Sequence, residues 1–124
     1  MPKVRDVMSS PVKTIQLTAQ VNDIIDFFKL NQISGAPVVN DKGFAVGLIS
    51  RTNLVSGTDF EGKTARDIMT PFVFEITPDK DVLDVAKSMA DANIRRVIVT
   101  ENEVPVGVVT ALDVVKEYIK LRES

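Results

Sequence analysis

The chain has 124 residues, 44% apolar and 26% charged, with a net charge of −2. This fits one globular domain or two small ones sharing a core, and argues against disorder and against a duplex nucleic-acid binder. There is no Cys and no His, which excludes thiolate metal sites, disulfides, thiol nucleophiles and Ser-His-Asp arrangements. No apolar run reaches membrane-spanning length, and "MPKVRDVMSS" lacks the apolar core of a secretion signal, so a cytoplasmic protein with no membrane partner is predicted.

In chain order, a lead-in loop, "DVMSSP", delivers the chain to a short strand predicted over 12–15. A helix follows, with an expected cap at Thr18 and an apolar stripe of Val21, Ile24, Ile25 and Phe28 at i, i+3, i+4, i+7 spacing. "APVVN" and "AVGLIS" read as a hairpin turned by Asp41-Lys42-Gly43, and a further helix opens after Ser50. "SGTDFEGK" is the linker. The plan then recurs: the loop "DIMTPF", a strand over 73–76, and a helix with an expected cap at Asp79 and a stripe of Val82, Val85, Ala86 and Met89. A hairpin of "VIVT" and "PVGVVT" leads into a last helix that starts after Thr110 and runs through "VVKEYIKLRES". The carboxylates Asp79, Asp81 and Asp84 read as a cap and a solvated face rather than a paired acid–base site, so no catalysis is expected.

Self-comparison sets the architecture. Arg5, Asp6 and Met8 recur as Arg66, Asp67 and Met69, and Val21, Asp23 and Ile33 as Val82, Asp84 and Ile94. After the loss of one residue in the hairpin turn, Gly47, Ser50, Asn53 and Val55 match Gly107, Thr110, Asp113 and Val115. The chain is thus two copies, 1–60 and 61–124, of a unit of about sixty residues. The expected fold is α+β, each copy β-α-β-β-α, the two packed sheet to sheet about a pseudo-twofold axis.

"GVVTALD" (107–113) admits two readings. Thr110 caps a helix with Asp113 in its first turn, or the free N–H groups of that turn take phosphate while Asp113 accepts sugar hydroxyls. Recurrence of the motif in both copies, where it would line a pair of clefts, keeps the second reading open.

These pieces together ("RDVMSSPV" and "RDIMTPFV", "ISGAPVV" and "IRRVIV", "GLISRTN" and "GVVTALD") resemble a tandem pair of CBS domains, the Bateman module named from cystathionine β-synthase. The resemblance implies a regulatory module that binds AMP, ADP or ATP, sometimes S-adenosylmethionine, and signals to a regulated protein that the sequence does not identify. In other members the pair is attached to an enzyme, channel or transporter; a stand-alone chain is expected here, with no cofactor required. By the family pattern, one cleft would hold Thr110 and Asp113 with Met8, Pro11, Val12, Ser34, Gly35 and Ala36. The other would hold Ser50 and Asn53 with Met69, Phe72, Val73, Arg95, Arg96 and Val97. Asn53 offers the ribose a neutral acceptor where Asp113 offers a charged one, and of Arg95 and Arg96 only one can face a cleft from a strand. Met8 and Met69 are expected to serve the core. The last helix, with Val114, Val115, Tyr118, Ile119 and Leu121, predicts a homodimer. The competing reading is a dimerisation or protein-interaction scaffold with vestigial clefts; a third, which the resemblance admits and the charge balance does not support, is a nucleic-acid binder.

Overall fold

A computed structural model describes residues 2–55, 60–71 and 74–123. It contains α1 (Val4–Val7), β1 (Ile15–Gln16), α2 (Val21–Asn31), β2 (Gly35–Val39), β3 (Ala45–Ser50) and α3 (Arg51–Val55). The second half contains α4 (Ala65–Ile68), β4 (Glu75–Ile76), α5 (Val82–Ala92), β5 (Arg96–Glu101), β6 (Val104–Thr110) and α6 (Ala111–Glu123). The strands form two three-stranded sheets, β1-β2-β3 and β4-β5-β6, so the fold is mixed α+β. In each, the short first strand lies parallel to the second, and the second pairs antiparallel with the third.

The chain divides into two compact units whose boundaries differ from those of the sequence copies. A continuous unit runs from Lys13 to Val73; a discontinuous unit joins Met1–Val12 to Phe74–Ser124. The lead-in segment of each copy therefore packs with the sheet of the other copy. In the discontinuous unit Val4 N–H donates to the Lys80 carbonyl (2.8 Å), and Val82 N–H to the Pro2 carbonyl (3.0 Å). In the continuous unit Ala65 N–H donates to Ala19 (2.9 Å) and Val21 N–H to Lys63 (3.0 Å).

Those bonds also correct the expected helix starts. The N-caps are Gln20 and Asp81, two residues beyond Thr18 and Asp79. The first-turn N–H groups of Val21 and Val82 are satisfied by the docked lead-in segments, which a local reading cannot see. Asp79 instead accepts the Thr77 hydroxyl within the preceding turn (2.6 Å). The first strands are likewise shorter and later than expected, two residues each. The lead-in loops contain a helical turn apiece, α1 and α4. The recurring Asp6 and Asp67 explain them, each carboxylate accepting the N–H at its own turn's start, from Lys3 and Thr64 (both 2.8 Å). That bond holds the Asp67 carboxyl below its ordinary value.

Each unit has its own core. Val4, Val85, Val99 and Val109 are fully buried in the discontinuous unit, and Val38 and Ile49 in the continuous one. The helical stripes face these cores: Val21, Ile24 and Phe28 on α2, and Val82, Val85 and Met89 on α5. Each such side chain stabilises by about 1.5–3 kcal/mol through burial. Both helices stop at a residue in the left-handed region, Gln32 (φ 53°) and Asn93 (φ 55°). The hairpins turn differently. Asn40 Oδ1 accepts Lys42 and Phe44 N–H around Gly43 (φ 82°), whereas consecutive left-handed Asn102 and Glu103 make the tighter turn of the second copy.

Candidate ligand site

In each unit the last strand, the helix after it and the lead-in segment meet at one corner. In the discontinuous unit these are β6, α6 and the residues after α1. Ser9 and Val108 exchange backbone hydrogen bonds (2.9 and 3.3 Å), which lays the segment along β6. In the continuous unit Leu48 and Thr70 do the same (3.0 and 2.9 Å).

The glycines of the repeated motif make room for this docking. A Cβ on Gly107 would lie 2.5 Å from the Met8 sulfur and 2.9 Å from its Cγ. A Cβ on Gly47 would collide with the Met69 sulfur and come within 2.9 Å of the Thr70 carbonyl oxygen. Met8 and Met69, both partly buried, thus pack over the glycines and against the two cores.

At the start of α6, Thr110 and Asp113 cap one another. Thr110 N–H donates to Asp113 Oδ2 (2.8 Å), and Asp113 N–H donates to Thr110 Oγ1 (3.2 Å). Ala111 N–H donates to the Arg95 carbonyl (2.9 Å). Three N–H groups that the sequence reading offered to phosphate are therefore committed within the unit. The second carboxylate oxygen, Oδ1, has no protein partner among the described residues, and the side chain is only half-buried. A carboxylate oxygen held still by a cap, with its fellow oxygen open, can accept a hydroxyl from a ligand.

The equivalent corner at α3 is occupied by its own chain. Asn53 Oδ1 accepts both the N–H (2.9 Å) and the hydroxyl (3.2 Å) of Ser50. Its amide Nδ2 donates to the Ile68 carbonyl (2.8 Å) and reaches the Thr70 hydroxyl (3.5 Å). Sequence reasoning treated Asn53 as a ribose acceptor and overlooked Ile68 and Thr70. The signal available was that an amide, unlike a carboxylate, also donates.

The other expected site residues divide between the units. Val12, Arg95, Arg96 and Val97 share the discontinuous unit with Thr110 and Asp113; Ser34, Gly35 and Ala36 share the continuous unit with Ser50 and Asn53. Gly35 pairs with Ser50 across β2 and β3, and Arg96 with Thr110 across β5 and β6. Arg95, just before β5, is exposed, and Arg96, the first residue of β5, is half-buried. Burial, and secondarily the Arg95 charge, lowers the pKa of Arg96, which still remains a cation at neutral pH. Phe72 and Val73 lie outside the described residues. Among the described residues no helix is long and apolar enough to cross a membrane.

Two α+β repeats, each with a glycine-backed corner and a capped acidic or amide residue, define a duplicated module. The chain belongs to the CBS domain family, which matches residues 4–57 and 65–120. An uncharacterized protein of Methanocaldococcus jannaschii, MJ1426, is 30% identical, with 94% of this chain and 90% of that protein covered. MJ1232 of the same organism, also uncharacterized, is 36% identical over 92% of this chain; the chain spans 38% of its length, and 41% of MJ1225, which is 29% identical. Among solved structures, the CBS domain pair of protein MJ0100, in complex with 5′-methylthioadenosine and S-adenosyl-L-methionine, superposes with a TM-score of 0.88. It is 26% identical, and 98% of each chain is covered.

Proposed function

We propose that this CBS pair is a regulatory module that binds an adenine nucleotide, AMP, ADP or ATP, and signals to a regulated protein without catalysing a reaction. The observation that carries the reading is the open Oδ1 of Asp113, held by the Thr110 cap at the start of α6. A ribose diol presents two donors to such an oxygen. The adenosine compounds bound by the MJ0100 pair, which share that ribose, support the ligand class. Arg96, half-buried beside Thr110, is a cation suited to phosphate and favours a nucleotide over an uncharged adenosine.

Isothermal calorimetry with AMP tests this. Loss of the charge-assisted contact in Asp113→Ala should weaken binding by roughly ten- to a hundredfold. The 2′,3′-dideoxy analogue should bind the unaltered protein poorly, yet lose little more in Asp113→Ala, because both changes remove one interaction. Additive losses would mean that the carboxylate and the ribose never meet. Tighter binding of S-adenosylmethionine than of AMP would move the ligand from nucleotide to sulfonium. The module is further proposed to be a homodimer: Val115, Tyr118, Ile119 and Leu121 of α6 stand about half-exposed or more, an apolar face that a second copy would cover.

A further inference from the structure

The two corners share a fold, and the side chains at their matching positions, Asn53 and Asp113, differ in one terminal atom. Where Asn53 carries an N–H donor, Asp113 carries an oxygen, and each of these atoms is turned away from the capped strand end. The orientation of the Asn53 amide is fixed from both sides. Ser50 N–H needs an acceptor and the Ile68 carbonyl needs a donor, so exchanging nitrogen for oxygen would put like groups together at both ends. The bond spans 15 positions of sequence and ties the helix after β3 to the lead-in segment that lies along β3. In the other corner Val7 and Ser9 stand where Ile68 and Thr70 stand here. Asp113 makes no hydrogen bond to either among the described residues.

We infer that the residue at this position decides what each corner does: Asn53 is a latch that fastens its own lead-in segment, and Asp113, which cannot latch, is left to take a ribose. The chain then has one ribose-accepting corner, not two. The physical reason is donor–acceptor balance. At the Asn53 corner the backbone carbonyl and the amide satisfy one another, so a ligand hydroxyl would have to displace an internal hydrogen bond to enter. At the Asp113 corner Oδ1 has no internal donor among the described residues, so an outside donor displaces water and no internal hydrogen bond. Asn53 is accordingly a positioning residue for the segment around Met69 and Thr70. The number of ribose sites rests on the reading of Asp113 given above; the latch does not.

The test exchanges the two residues and reads the segment and the ligand separately. Asn53→Asp sets a carboxylate oxygen against the Ile68 carbonyl. Amide hydrogen exchange at Leu48 and Thr70, which bond each other across the docked segment, should accelerate by about tenfold, and Asn53→Ala should do the same by a smaller factor. Exchange at Ser9 and Val108 should be unchanged in both. In calorimetry the unaltered protein should take one AMP per chain, Asp113→Asn should lose at least about tenfold in affinity, and the double exchange, Asn53→Asp with Asp113→Asn, should recover binding at the other corner. Unchanged exchange at Leu48 and Thr70 overturns the latch, and two AMP bound per unaltered chain overturns the division of labour. No AMP bound at all overturns the nucleotide reading instead, and leaves the exchange rates to decide the latch by themselves.

Discussion

Adding one methyl group at Gly107 or at Gly47 should destabilise the protein unequally, although the two glycines hold the same place in the repeat. Neither has a left-handed φ, so alanine meets no backbone strain and gains about 0.5–1 kcal/mol over glycine in a strand interior. Against this stands the cost of overpacking, typically about 1–3 kcal/mol. At Gly107 the three nearest atoms all belong to the Met8 side chain: Sδ at 2.5 Å, Cγ at 2.9 Å and Cβ at 3.1 Å. A thioether with three rotatable bonds can swing aside, which keeps the clash in the lower half of that range, about 1.5–2 kcal/mol, and the net loss at about 1 kcal/mol. At Gly47 the methyl also meets the Thr70 carbonyl oxygen at 2.9 Å. That oxygen accepts Leu48 N–H at 3.0 Å and cannot retreat without loosening the bond that docks the lead-in segment. The net loss there should be about 2–3 kcal/mol. Urea denaturation of Gly107→Ala, Gly47→Ala and each combined with Met8→Ala or Met69→Ala measures this. Met8→Ala should offset most of the Gly107→Ala loss in a double-mutant cycle, whereas Met69→Ala should offset less than half of the Gly47→Ala loss. Equal losses at the two glycines, or full rescue at Gly47, would refute the assignment of the difference to the Thr70 carbonyl.

Further outcomes follow from the capping, the ion pair and the apolar face. Thr110→Ala removes the acceptor for Asp113 N–H and should cost about 1 kcal/mol in thermal or urea unfolding, while Thr110→Ser should be nearly neutral. The 2.8 Å pair of Lys3 and Asp81 lowers the Asp81 pKa from its ordinary 3.8 and raises that of Lys3 from 10.5. The Asp81 contribution is complete above 3.8 and lost as pH falls through the lowered folded value; that of Lys3 is complete below 10.5 and lost as pH rises through the raised one. Urea midpoints should therefore be level between about pH 5 and 9 as far as this pair is concerned, and Lys3→Met should flatten the decline on both sides. Sedimentation at micromolar concentration should show a dimer that Ile119→Glu converts to monomer, and a dimer that persists would remove α6 from the interface. Incubation with ATP should release no phosphate above the rate without protein.

Periodicity made the helices legible. The stripes read from spacing are the residues that α2 and α5 bury, with Ile25 and Ala86 at their half-buried margins. Hairpins were legible for the same reason, since "DKG" carries its own turn chemistry in Gly43. The second turn was less so, because Asn102 and Glu103 hold left-handed conformations without a glycine. The helix starts were misplaced because Gln20 and Asp81 are selected by chain that arrives from far away in sequence, through Lys63 and Pro2. A repeat alignment assigns Met8 to the first copy and cannot disclose that it packs over Gly107 of the second. The Thr110 and Asp113 pair was legible as chemistry. Their mutual cap was one of the two readings, but the commitment of Ala111 N–H was not legible, because the Arg95 carbonyl that takes it is set in place only by the hairpin. Asn53 was read for its oxygen alone, whereas its nitrogen makes the contact that crosses to α4.

The exchange of lead-in segments also imposes an order of synthesis. Lys13–Val73 is one uninterrupted stretch, so every partner in that unit is available once residue 73 has left the ribosome. The other unit is assembled from chain on both sides of that stretch, Met1–Val12 before it and Phe74–Ser124 after it. Val4, fully buried against α5 and β6 in the finished protein, must wait uncovered while some hundred residues are added, until Val109 has emerged. Anything that ties down the segment before Lys13 during that interval, such as a bound chaperone, acts on the packing of the β4-β5-β6 sheet and not on that of the β1-β2-β3 sheet.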